Sequence, residues 1–367
     1  MALNKRRVGY EEKKAMLQTL GSPDSPPVPP RRNSLSSYVM IQEGDLGKNR
    51  CLEDEKLLAR IMTIGNTAAT PKGRMYTCEA RKKTAATGNK IMGKGTEDVK
   101  NYVGTVMLHM DIKNIHAVRE SEGLLWDLCR PSSSVGAAAT WHGKLESTGW
   151  LSHVHRVLAA AARCAAIISQ EGCSVLVRCS DGWDRTAQLT SLTQILLDPY
   201  YRTFIGFRAL IEKEWLCFGH KFEDRNGRGV MKGLAGDEER SPIFLLFLDC
   251  LWQIMQQFPT EFEYNEEFLV VLMDQVHDGR SGTFLYNSKS ERKKKNLYEL
   301  SVSVWDVLVE VAGGEDLKVF SNGQWNGEGR AEPLVVNLNC KNIKLWEQYW
   351  SRFDTSLVSF EKWSNNL

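Results

Sequence analysis

Apolar residues recur every three or four positions over residues 142–170, which predicts one long amphipathic helix. Gly172 interrupts the pattern, and the short apolar run at 174–178 that follows predicts a buried strand. Two similar runs predict strands at 75–79 and 103–110. The apolar face of the long helix carries Leu151, Val154, Leu158, Ala161, Ala165 and Ile168.

Helical spacing returns downstream of the strand at 174–178. A helix is predicted after residue 185, with its apolar face on Leu189, Leu192, Ile195 and Leu196. Ser241 and Pro242 predict the start of another helix, because serine is favoured at the N-cap and proline in the first turn. Asn265 predicts a further cap, and residues 52–62 a short helix. The alternation predicts an α/β fold with a helix-covered sheet.

The bulk composition restricts the class of protein. With 367 residues, 42% hydrophobic and 25% charged, the chain has the make-up of a globular protein of one or two domains. The net charge of +2 gives no reason to expect a nucleic-acid partner. We find no secretory leader pattern at the start, and expect no membrane span, since the best apolar run, 243–248, is interrupted by Asp249 and Gln253.

The nine cysteines are scattered and form no C-x-x-C pair. This disfavours a disulfide framework and a zinc site and favours a reducing compartment, so we expect a cytoplasmic protein.

Residues 1–49 form a low-complexity segment, Pro/Ser-rich over 21–37, which we expect to be disordered. Residues 26–31 fit a polyproline ligand for an SH3-type partner, although a solvated linker is the favoured interpretation.

The most informative chemistry lies in the loop that follows the strand at 174–178. Cys179 and Arg185 stand six positions apart, between the predicted strand and a predicted helix. Such a loop directs backbone N–H groups inward, and the helix N-terminus favours anions and the thiolate form of a cysteine. Arg185 offers a planar fork for two phosphate oxygens, and Thr186 a hydroxyl that can stabilise a thiolate. We interpret the loop as a phosphatase site; a buried structural thiol is the alternative.

Two carboxylates, Asp181 and Asp184, lie within this anion-binding loop. Negative charge there is unfavourable unless the two groups handle protons, which favours a catalytic function for the loop.

The loop and its flanks, VLVRCSDGWDRTAQLTSL, resemble the signature of the myotubularin phosphoinositide phosphatases. The resemblance covers roughly residues 50–350 and includes DIKNIHAVRES, LESTGWLSH, DPYYRTFIGFRALIEKEWLCFGHKF, SPIFLLFLDCLWQIMQQFPTEFEYNEEFL and GTFLYNS. It implies an α/β fold with a cysteine-phosphatase-like central sheet flanked by helices and enlarged by additional C-terminal helices. It also implies that the protein uses no metal or other cofactor. We therefore expect a phosphatase domain at 50–354 and a tail at 355–367.

The resemblance also implies an activity, the removal of the 3-phosphate from phosphatidylinositol 3-phosphate and phosphatidylinositol 3,5-bisphosphate. Cys179 would form a phosphocysteine intermediate, while Arg185 and the backbone of Ser180, Asp181, Gly182 and Trp183 would hold the phosphate. Asp184 would protonate the leaving oxygen, with a pKa raised by its anionic surroundings. Asp181 would touch the head group or the attacking water, and capping of the loop is an equal alternative.

Further positions correspond to residues that contact the head group in the family. They are Asn89, Asn114, Ile115 and Lys221. For the asparagines, turn or cap formation is the alternative role. Lys221 would attract a second phosphate.

The sequence departs from the family pattern at Arg178, where histidine is usual. The alternatives to a lipid phosphatase are a protein tyrosine or dual-specificity phosphatase and a non-catalytic regulatory relative. The resemblance implies phosphoinositides in a cytosolic membrane leaflet as partners, a peripheral location on endosomal or other intracellular membranes, and a family-type oligomer.

Overall fold

The computed structural model describes residues 52–65, 74–83, 102–130, 138–228, 237–313, 317–327 and 329–352. The SH3-type motif at 26–31, the predicted N-terminal segment 1–49, Asn89 and the predicted tail 355–367 lie outside the described residues.

Among the described residues, a three-stranded parallel sheet confirms the predicted α/β class. Its strands are β1 (Met75–Glu79), β2 (Thr105–His109) and β3 (Ser174–Arg178), in the order β2-β1-β3. β1 is buried along its whole length because it pairs on both sides. Glu79 lies opposite His109 and Arg178, so the strands end at one edge of the sheet, where the loop after β3 begins.

Helices surround this sheet and form most of the described chain. In chain order they are α1 (Leu52–Gly65), α2 (Ile115–Cys129), α3 (Ala138–Thr148), α4 (Trp150–Ser169), α5 (Arg185–Leu197), α6 (Phe204–Ile211), α7 (Phe222–Arg225), α8 (Ile243–Gln257), α9 (Glu266–Asp278), α10 (Lys289–Lys294), α11 (Leu297–Leu300), α12 (Val304–Val311) and α13 (Glu347–Trp350). A π-helical segment, Glu212–Cys217, continues α6.

The prediction of one helix over 142–170 was wrong. The chain forms α3 and α4, which meet at Gly149, whose φ is 75°. This left-handed conformation is accessible to glycine and ends the first helix, although the apolar spacing continues past it.

Among the described residues, α4 is long and apolar enough to cross a bilayer by length and composition, contrary to the sequence expectation. Its apolar face packs inside the fold, where Val154, Leu158 and Ala161 have no exposed surface. These properties are typical of the central helix of a globular core.

The two predicted helix starts had different outcomes. Asn265 caps α9, since its side chain accepts a hydrogen bond from the Phe268 amide at 3.2 Å, as predicted. Ser241 does not cap α8, where Pro242 occupies the N-cap position without a side-chain bond. The Ser241 hydroxyl instead donates to the Ile115 carbonyl at 2.8 Å, tying the start of α8 to the start of α2.

The C-terminal helices belong to the core around α4 and α8. The ring of Trp350 packs against the rings of Trp126 and Trp150, with centroids 5.0 and 4.9 Å away. Buried Asp249 accepts hydrogen bonds from the indoles of Trp150, at 2.8 Å, and Trp350, at 3.3 Å. This packing is the predicted enlargement of the sheet domain by C-terminal helices.

Candidate active site

The loop between β3 and α5 places Cys179 at its floor. The Cys179 side chain is buried, and it follows directly on the last residue of β3. The backbone N–H of Gly182 donates to its Sγ at 3.2 Å. Gly182 has a φ of 90°, which other residues rarely adopt, so glycine lets the loop turn back over the sulfur.

A second donor reaches the sulfur from the first turn of α5. The Thr186 hydroxyl lies 3.3 Å from the Cys179 Sγ, where the sequence placed it. Two donors and the N-terminus of a helix of 13 residues therefore converge on one thiol. This arrangement stabilises negative charge on sulfur, as a nucleophile and leaving group requires.

Arg185 is held in place beside the loop by two further contacts. Its Nη2 donates to the Ser180 hydroxyl at 3.1 Å, and its Nη1 to the Ile112 carbonyl at 3.4 Å. The guanidinium thus bridges the loop and the segment that leads into α2. A planar fork fixed next to a thiol can bind two oxygens of a phosphate group.

Asp184, the predicted proton donor, is bound on both of its oxygens. Arg225 donates from Nε to Oδ1 at 3.0 Å and from Nη2 to Oδ2 at 2.8 Å. The His220 Nδ1 lies 3.2 Å from Oδ1 and 2.8 Å from the carbonyl of Trp183. Asp184 is therefore joined to the segment that begins α7.

These partners shift the pKa of Asp184 in the direction opposite to the one expected from the sequence. Burial by itself would raise the pKa of this carboxyl, but the hydrogen bonds and charges of His220 and Arg225 outweigh burial. They hold the pKa of Asp184 well below its ordinary value. The expectation of a raised pKa was wrong for this arrangement, because the sequence did not reveal the two basic partners.

Sequence reasoning missed Arg225 and His220 as site residues. Arg225 is buried, and it also donates from Nη1 to the Glu239 carbonyl at 2.9 Å and carboxylate at 2.8 Å. Their place in the sequence could have indicated them, because His220 and Arg225 lie on either side of the predicted contact Lys221 in the segment GHKFEDR.

The structure brings Lys221 to the loop, as the head-group prediction requires. Its ammonium lies 4.9 Å from the ring centroid of Trp183 and 3.5 Å from an oxygen of Asp224. The half-buried Trp183 ring thus forms a cation–π contact that orients the lysine at the loop.

Asn114 and Ile115 lie in the segment that supports Arg185. Asn114 caps α2, because its side chain accepts a hydrogen bond from the Ala117 amide at 3.1 Å. Capping is the alternative role that the sequence left open for this asparagine. Ile115 is half-buried and accepts the Ser241 bond through its carbonyl.

A buried charge cluster lies at the edge of the sheet from which the loop begins. Glu79 accepts hydrogen bonds from Nε and Nη2 of Arg81, each at 2.8 Å, and pairs with Nε of Arg178 at 3.2 Å. Burial would raise the pKa of Glu79, but the arginines outweigh it and lower that pKa. One buried carboxylate thus forms ion pairs with two guanidinium groups.

Comparison with known proteins agrees with this geometry. A family model described as the myotubularin-like phosphatase domain matches residues 36–293. The chain is 39% identical to myotubularin from Xenopus laevis over 303 residues, which cover 82% of this chain and 48% of the relative. It is 41% identical to phosphatidylinositol-3,5-bisphosphate 3-phosphatase MTMR6 from Mus musculus over 312 residues, which cover 84% and 48%.

The human MTMR6 protein is similarly related, with 41% identity over 312 residues, which cover 84% of this chain and 47% of the relative. The chain spans about half the length of the curated relatives it matches.

Proposed function

The chain belongs to the myotubularin-like phosphatase family, and from this premise we propose that it is a phosphoinositide 3-phosphatase. Its substrates are phosphatidylinositol 3-phosphate and phosphatidylinositol 3,5-bisphosphate, the second of which appears in the name of the MTMR6 relatives. The observation that carries the proposal is the Cys179 sulfur, which two donors approach within 3.3 Å at the start of a helix that presents Arg185.

The reaction follows from these contacts. The Cys179 thiolate attacks the phosphorus and displaces the inositol oxygen, leaving a phosphocysteine. Loop amides from Ser180 to Trp183 and the Arg185 fork hold the three equatorial oxygens as charge spreads over them. Water then attacks the phosphorus, and the N–H of Gly182 and the hydroxyl of Thr186 stabilise the departing thiolate.

Recognition of the head group is assigned to residues around the loop. Lys221 supplies a positive charge for a second phosphate, and its contact with Trp183 fixes its position. The backbone at Asn114 and Ile115 borders the head group, because the neighbouring Ile112 carbonyl contacts Arg185. Asn89 completes this set in the proposal, by its correspondence to a family position.

The location of the substrate sets the location of the enzyme. Phosphoinositide head groups in a cytosolic leaflet require peripheral association with that surface, and we assign the chain to endosomal or other intracellular membranes on this ground. The SH3-type partner at 26–31 and a family-type oligomer remain predictions from the sequence.

Phosphate release from short-chain phosphatidylinositol 3-phosphate tests the proposal. We expect turnover by the wild-type chain, none by Cys179→Ser, and a strong loss in Arg185→Lys, which keeps the charge but loses the fork. Equal release by wild type and Cys179→Ser would contradict the proposal. Preference for a phosphotyrosine peptide would select a protein phosphatase, and lipid binding without turnover would select a regulatory relative.

A further inference from the structure

The proposed reaction needs backbone N–H groups that are free to bind phosphate oxygens where the loop at 179–185 enters α5. Asp184 occupies the N-cap position of α5, yet its side chain makes no capping hydrogen bond. An N-cap aspartate normally accepts from an amide two or three residues ahead, here Thr186 or Ala187. The Asp184 carboxylate is bound by Arg225 and His220 instead, so it does not occupy these amides.

His220 contacts the loop at two consecutive residues. Its Nδ1 lies 2.8 Å from the carbonyl oxygen of Trp183 and 3.2 Å from Oδ1 of Asp184. A carbonyl oxygen can only accept a hydrogen bond, so the Nδ1 carries a hydrogen in either charge state of the ring. One ring nitrogen therefore binds both the backbone and a side chain at the end of the loop.

The contact with Trp183 also sets the direction of the next backbone amide. A peptide unit is planar, and in its trans form the C=O group and the following N–H point in opposite directions. The described residues contain no cis peptide bond. Because the Trp183 carbonyl is directed at the His220 ring, the N–H of Asp184 is directed away from that ring.

The His220 ring is held firmly by its surroundings. It is 1% exposed, and the rings of Trp215 and Phe222 pack against it edge to face, each with its centroid 4.8 Å away. Its backbone N–H donates to the carbonyl of Trp215 at 2.9 Å. A side chain fixed in this way can hold the loop carbonyl in one orientation.

We propose that His220 is a positioning residue of the phosphate-binding loop. It holds the Trp183 carbonyl outward so that the N–H of Asp184 faces the phosphate, and it helps to keep the Asp184 carboxylate away from the first turn of α5. His220 acts through the loop and does not itself touch the substrate. The inference rests on the phosphatase function proposed above, and it deepens that function.

Two substitutions separate the hydrogen bond of His220 from its packing. His220→Phe keeps an aromatic ring between Trp215 and Phe222 but removes the donor. His220→Asn removes the ring but keeps an N–H on an atom bonded to Cγ, which is where histidine carries its Nδ1. His142→Phe, at an exposed histidine of α3, is the matched control.

Turnover of short-chain phosphatidylinositol 3-phosphate and calorimetric titration with vanadate, an oxyanion that adopts the geometry of the phosphoryl transition state, measure the effect. In His220→Phe we expect kcat to fall at least about tenfold, because a misdirected amide no longer stabilises the charge on the phosphate oxygens. KM should change less than kcat, and the vanadate Kd should rise by a factor similar to the loss in kcat. His220→Asn should lose clearly less in both measurements, and His142→Phe should match wild type.

A role in packing alone would reverse this order, with His220→Phe active and His220→Asn impaired, and that result would overturn the assignment. Urea unfolding shows which variants fold. If one does not fold, the other decides: vanadate affinity must fall in folded His220→Phe or persist in folded His220→Asn, and the opposite result overturns the role. Failure of the phosphatase proposal is separate, since wild type would then release no more phosphate than Cys179→Ser while the vanadate titrations still compare the variants.

Discussion

Glu79 and Arg178 are register partners on neighbouring parallel strands, and their side chains form a buried ion pair with Nε and Oε2 3.2 Å apart. Glu79 also accepts two hydrogen bonds from Arg81, so one carboxylate contacts two guanidinium groups at the edge of the sheet. Arg178 immediately precedes Cys179, and it replaces the histidine that the family resemblance leads one to expect.

Substitution of Glu79 tests how far this cluster supports the fold. Glu79→Gln removes the negative partner of a buried ion pair, and removing one partner of such a pair typically costs about 3–5 kcal/mol of stability. We expect a loss of this order in the free energy of unfolding measured with urea. Glu310→Gln, an exposed position, is the matched control and should change stability by less than about 0.5 kcal/mol. Equal effects of the two substitutions would contradict the prediction.

Thr186 should matter most in the second chemical step. Thr186→Val keeps the branched shape but removes the hydroxyl 3.3 Å from the Cys179 sulfur. A hydrogen bond to a charged group contributes about 1.5–3 kcal/mol, so hydrolysis of the phosphocysteine should slow about 10- to 100-fold. Rapid-quench kinetics should show the phosphoenzyme accumulating in a burst. Thr186→Ser keeps the hydroxyl and should turn over faster than Thr186→Val. If the phosphoenzyme does not accumulate in Thr186→Val, the hydroxyl does not have this role.

Two glycines of one helical region should respond with opposite signs. Gly149→Ala places a side chain at a φ of 75°, where no clash arises and the cost is conformational, about 1–2 kcal/mol of stability. Gly143 lies on the exposed face of α3 with open space around it, and alanine there should stabilise by about 0.5–1 kcal/mol. Thermal unfolding of the two variants measures both changes in stability. If the unfolding temperature shifts in the same direction in both variants, the left-handed backbone at Gly149 does not explain why α3 and α4 are separate.

Asp249 should make stability fall as pH rises in the acidic range. Burial raises the pKa of this carboxyl above its ordinary value, despite donors from Trp150, Gln253 and Trp350. The folded state therefore binds more protons than the unfolded state from about pH 4 upward, where an unfolded aspartate ionises. Urea unfolding across acidic pH should show wild type losing stability relative to Asp249→Asn, by at most about 1.4 kcal/mol per pH unit. If the stability of wild type relative to Asp249→Asn stays constant or increases with pH, the pKa of Asp249 is not raised.

The sequence by itself determined those features whose physical cause is local. Cys179 and Arg185 are separated by the length of one tight loop between a strand and a helix, so their spacing indicated the anion site before any contact was known. The same holds for Thr186, one residue into the helix, and for Asn265, whose cap bond reaches only three residues ahead. Short apolar runs likewise located the three strands, because such a run is a property of a few consecutive residues.

Only the tertiary structure decided features that depend on partners distant in sequence. Ser241 fits an N-cap pattern, yet its hydroxyl is used by Ile115, 126 residues away in the chain. The low pKa of Asp184 depends on His220 and on Arg225, the latter 41 residues downstream, which together outweigh the effect of burial. Electrostatic and hydrogen-bond energies depend on distance in space, so the loop sequence indicated a reactive thiol but could not show that Asp184 is bound as a carboxylate.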